Sequence, residues 1–108
     1  MRLTPAQIGM YALLGHRLQF AMPADWSLAD IIRHGRESLT QAAGVDFGHD
    51  PEAWHTHLVA TDAGGYKWSN KHRGFPREIA AAVASPEWQE AVASLRREHD
   101  QQSRVERT

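Results

Sequence analysis

Three of the five prolines directly follow a residue whose side chain caps helices: Thr4-Pro5, Asp50-Pro51 and Ser85-Pro86. Thr, Asp and Ser accept a hydrogen bond from the donors that a first helical turn leaves unpaired, and proline fits the next position because no N–H is needed there. Glu52 and Glu87 then put negative charge in the first turn, where the helix dipole favours it. A fourth start is predicted at Ser27, with Asp30 three residues on as a capping box that uses Asp in place of Glu, and a fifth at Pro76. A chain punctuated in this way is committed to short helices.

The apolar spacing between these starts agrees. From Thr4-Pro5 a helix is predicted to about Phe20, with Ile8, Tyr11, Leu14 and Leu18 on one side and Ala6, Met10, Leu13 and Phe20 on another, so it needs partners on two flanks. Gly9 and Gly15 inside it imply close approach of another backbone, and Met22-Pro23 ends the element. After Ser27, the residues Leu28, Ile31, Ile32, Gly35, Leu39 and Ala42 share one stripe, and Gly44 closes the helix. Trp54, Leu58 and Thr61 mark the inner face of the next helix, which the pair Gly64-Gly65 should stop. Tyr66 to Phe75 reads as a loop or a short irregular turn. A short helix from Pro76 through Ala84 rests on Ile79 and Val83, and the last rests on Trp88, Val92, Leu95 and His99.

The expected fold is therefore all-α, a single small bundle of about five helices over residues 1–100, with 101–108 a polar, frayed tail. With 42% hydrophobic residues in 108, the chain can bury a core, and Trp26, Trp54 and Trp88, each near a helix start, are expected in it. Tyr11, His16 and His34 read as boundary residues.

Absences narrow the function. There is no cysteine, which excludes disulfides, thiolate metal sites and cysteine nucleophiles and agrees with a cytoplasmic setting. The longest apolar stretches, Met10–Leu14 and Ile79–Ala84, are far short of a membrane span. Arg2 before the apolar Ile8–Leu14 region is a poor leader, because Gln7 interrupts it, His16 and Arg17 follow, and no A-x-A site comes after. Neither a Gly-x-Ser-x-Gly elbow nor a phosphate loop is present, so no catalytic residue and no cofactor is assigned.

Seven histidines raise a metal reading, in which His49, His55, His57 and further on His72 would act as ligands or as a metalloenzyme centre. On a helix, however, His55 and His57 stand about 200° apart and cannot face one ion. His49, Asn70 and His72 have the letters of a His-Asn-His nuclease without its spacing or its hairpin.

Charge distribution carries the preferred reading. From Glu37 to Asp62 there are five acids and no Lys or Arg, whereas Ala63 to Arg77 holds Lys67, Lys71, Arg73 and Arg77 and no acid, although the whole chain has a net charge of only -1. Together with the aromatic residues, this makes Tyr66, Lys67, Trp68, Lys71, His72, Arg73, Phe75 and Arg77 a candidate contact surface. The expected function is stoichiometric association with a partner, a protein bearing an acidic patch before a nucleic acid, because the chain as a whole is not basic. Two plainer alternatives stand beside it. Trp68 and Phe75 could plug the loop onto the core, and the cations could neutralise the acidic stretch. Self-association through the small-residue faces at Gly9, Gly15 and Gly35 is a further alternative.

Overall fold

The computed structural model of the chain describes residues 4–17, 23–67 and 72–106, with side chains to residue 98. They form five α-helices: α1 (Pro5–Leu13), α2 (Leu28–Ala43), α3 (Pro51–Thr61), α4 (Phe75–Val83) and α5 (Pro86–Glu106), with a 3-10 turn at Ala63–Gly65 and no strand among the described residues.

The starts are built as the capping residues dictate. The Thr4 and Ser27 side chains accept from the backbone N–H of Gln7 and Asp30, whose own side chains accept in return from the Thr4 and Ser27 N–H, so both caps are reciprocal. Asp50 accepts from the N–H groups of Glu52 and Ala53. Ser85 Oγ accepts from the Trp88 N–H at 3.4 Å.

The ends differ from the expectation. Helix α1 stops at Leu13 because Gly15 adopts φ +84°, with the Gly15 N–H bonded to the Ala12 carbonyl and the His16 N–H to that of Tyr11. This paired closure is a Schellman motif, so Gly15 terminates the helix instead of sitting within it. Leu18, Phe20 and Met22 of the longer helix read from sequence lie outside the described residues. Helix α3 ends at Asp62, left-handed at φ 53°, before the two glycines, which belong to the 3-10 turn. Thr61 is exposed, not on the inner face, and its hydroxyl donates to the His57 carbonyl. Helix α5 continues past Asp100 to Glu106, where sequence alone suggests fraying.

Helices α1 and α2 make the closest pair. A Cβ at Gly35 would lie within 2.7 Å of the backbone of both Ala12 and Leu13, so only glycine lets the two backbones meet there. Leu39, one turn further on α2, packs against Gly9. The core gathers Met10, Leu13, Ile32, Leu39, Trp54, Leu58, Tyr66, Phe75, Ile79 and Leu95. Trp54 and Trp88 are buried in it as expected, and both indoles are satisfied: Trp54 Nε1 donates to the Gly48 carbonyl and Trp88 Nε1 to that of Leu13, each at 2.9 Å. The second bond also occupies a carbonyl left open at the end of α1. Trp26 is only half-buried, against Ala12, Ile31 and the ring of His34.

Candidate functional site

The chain from Tyr66 to Arg77 divides into an inward and an outward part. Tyr66 and Phe75 are core residues, fully and almost fully buried. Their rings stack with centroids 5.2 Å apart and planes within 15°. Three helices hold Tyr66. Its carbonyl accepts from Gln7 Nε2 of α1 at 3.0 Å, its hydroxyl lies 2.6 Å from His55 Nδ1 of α3, and its ring covers Phe75 of α4. Tyr11 packs on the Phe75 ring from α1, at a centroid distance of 4.9 Å. These two aromatics cannot meet a partner while they hold the bundle together, which is the plug that sequence offers for Phe75.

The charged residues point the other way. Lys67, Arg73 and Arg77 are exposed, and none of their side chains makes an ion pair or hydrogen bond among the described residues. His72 is half-buried. Trp68 and Lys71 lie outside the described residues. Because Tyr66 and Phe75 touch, Lys67 and Arg73 stand one and two residues along the chain from stacked core rings, and Arg77 lies in the first turn of α4.

Other arginines are committed. Arg36 holds Asp46 through two bonds of 3.0 and 2.8 Å, Arg33 reaches Asp30 and Glu98, and Arg17 donates to the carbonyls of Pro23 and Trp26. Three of the five acids of the acidic stretch are engaged without any side chain of the basic one. Asp46 takes Arg36, Asp50 caps α3, and Asp62 accepts the Lys67 backbone N–H at 2.9 Å. Arg96 and Arg97 also make no ion pair or side-chain hydrogen bond among the described residues, but they stand beside Glu98 on α5.

His49, His55 and His57 do not converge. His55 is on Tyr66, His57 packs against Phe47 at 5.0 Å between ring centroids, and His49 is buried beside a groove between α2 and α5. Among the described residues no three His, Asp or Glu side chains are grouped to hold a metal ion. The groove, of about 520 Å³, is one that sequence reading does not find. Its arginines, Arg33 and Arg36, are already bonded to carboxylates. Sequence reading also misses the cluster of His55, Tyr66 and His72, whose members share no spacing that could signal it. No helix among the described residues is long and apolar enough to cross a membrane. In comparison with known proteins, the chain matches no family model, and neither a curated protein nor a solved structure similar to it was found.

Proposed function

We propose that this chain is a small cytoplasmic binding protein that acts by stoichiometric association, through the cationic face of Lys67, Arg73 and Arg77, with a protein carrying an acidic patch. The observation that carries the reading is the imbalance of pairing: the arginines of α2 are spent on internal acids, whereas these three cations meet no acid of their own chain among the described residues. Unpaired exposed cations flanking one pair of stacked core rings along the chain offer a partner positive potential, which raises encounter rates and fixes orientation.

A protein partner is favoured over single-stranded nucleic acid by the burial of Tyr66 and Phe75. Strand binders present such rings for stacking on bases, and here both rings are spent on each other.

The test is affinity purification from the native host with wild type and the Lys67→Glu/Arg73→Glu/Arg77→Glu variant, with and without nuclease. A species that wild type retains after nuclease and the variant loses supports the proposal. Recovery that depends on nucleic acid replaces the protein partner by a nucleic acid. Equal recovery by both chains removes the cationic face from the function.

A further inference from the structure

The hydroxyl of Tyr66 is buried, and its partner is a titratable ring. Burial also pushes the phenol's pKa upward, so the hydroxyl keeps its proton and must donate it. The acceptor within reach is His55 Nδ1 at 2.6 Å, which assigns the neutral His55 its proton on Nε2. Across the Tyr66 ring lies His72, with centroids 6.5 Å apart and its Nδ1 buried without a hydrogen-bond partner. No carboxylate pairs with either imidazole among the described residues.

We infer that His55, Tyr66 and His72 form a proton-sensitive joint: a proton taken up at His55 Nδ1 reverses the bond by which α3 holds Tyr66, strands the buried hydroxyl proton and so loosens the stacked Tyr66–Phe75 pair from the bundle. The balance is simple. A proton on His55 Nδ1 turns that atom from acceptor to donor; the phenol oxygen can accept from it, but the Tyr66 hydroxyl proton is then left buried with no acceptor among the described residues. Burial, and then the nearby His72, hold the His55 pKa below its ordinary value, in keeping with a site that resists the proton.

Among the described residues, the other titratable groups with contacts toward this cluster come from α1, the turn after it and α4. Tyr11 lies on Phe75 and acts on Tyr66, and His16 touches Tyr11 while its Nε2 sits 3.3 Å from Glu78. That contact joins His16, just after α1, to α4 and does not involve the Tyr66 hydroxyl. The joint stands on these contacts alone; only its consequence, that acid would move Lys67 and Arg73 and so regulate association, rests on the binding reading.

The experiment needs no partner. A pH titration of the isotope-labelled full chain is followed by NMR at the His55 and His72 rings, the Tyr66 ring, and the Tyr66 and Phe75 amides. The expected result is a His55 midpoint below 6.5, its ordinary value, with the Tyr66 and Phe75 signals moving at that same midpoint. The His55→Asn variant, which offers an oxygen acceptor near the position of Nδ1 but no basic site, should lose that shared transition. In Tyr66→Phe, which removes the hydroxyl and keeps the ring stack, the His55 midpoint should rise toward 6.5. Tyr66 and Phe75 signals that stay flat while His55 titrates, or a His55 midpoint unchanged in Tyr66→Phe, would overturn the joint.

Discussion

The ring of Tyr66 lies nearly parallel on that of Phe75, 5.2 Å between centroids, and joins the two ends of the most basic stretch of the chain inside the core. A segment that looks like a loop in sequence is therefore anchored by the same rings that close the bundle between α3 and α4. Phe75→Ala should remove the stack and the contact with Tyr11 together, leaving a cavity. The expected loss is about 3–5 kcal/mol, read as a lower urea midpoint. Phe75→Leu should cost less, since most of the volume is retained.

The α1–α2 contact should respond with unusual severity to a single methyl group. In Gly35→Ala the added carbon meets the backbone of Ala12 and Leu13, which cannot rotate away, so the helices must separate. A destabilisation of about 1–3 kcal/mol is expected despite the better helix propensity of alanine. Leu39→Ala on the same stripe should cost roughly 2–5 kcal/mol, because Leu39 is completely buried. Chemical denaturation of both variants checks the pair.

These positions also show where sequence is informative. Gly35, Leu39 and Ile32 are legible because period and burial coincide on an amphipathic helix, and the caps at Thr4, Ser27 and Asp50 are legible because they act within three residues. Gly15 is not, since a glycine inside a helix and one that ends it are the same letter, and the choice is made by the left-handed φ that its neighbours accept. In sequence Tyr66 and Phe75 group with the contact residues, because composition does not say which way a ring points. The bond from Tyr66 to His55 arises only when α3 and the following turn are folded together.

Acid should weaken the fold in two stages. His55 has a pKa below 6.5 in the folded chain, first through burial and then through His72, so the unfolded chain binds the proton more readily. Its contribution is complete above about pH 6.5 and is lost as pH falls through the folded value. A second loss follows at lower pH. Asp30, held down first by the Ser27 backbone N–H, Asp46, held down first by Arg36, and Glu87, held down first by its own backbone N–H, favour the folded state while ionised and cease to do so as they are protonated. Urea midpoints measured from pH 8 to pH 3 should show both limbs, and His55→Asn should flatten the first while leaving the second.

The charge-reversed chain Lys67→Glu/Arg73→Glu/Arg77→Glu separates a contact role from a structural one. None of the three side chains has an internal partner among the described residues, so the change should alter stability by no more than about 0.5 kcal/mol. Glu at position 77 would even stand in the first turn of α4, where the helix dipole favours an acid. A clear fall in melting temperature would mean that the cations serve the fold as counterions to the acidic stretch. Association measured on the same preparation should weaken by roughly tenfold or more, equivalent to at least about 1.4 kcal/mol. The wild-type salt dependence then identifies the partner's chemistry. Three phosphate contacts on duplex nucleic acid would give a slope near −0.9 per contact, about −2.7 in log K against log salt. For a protein surface bearing a few carboxylates, salt should act mainly on the association rate, and the slope should be shallower.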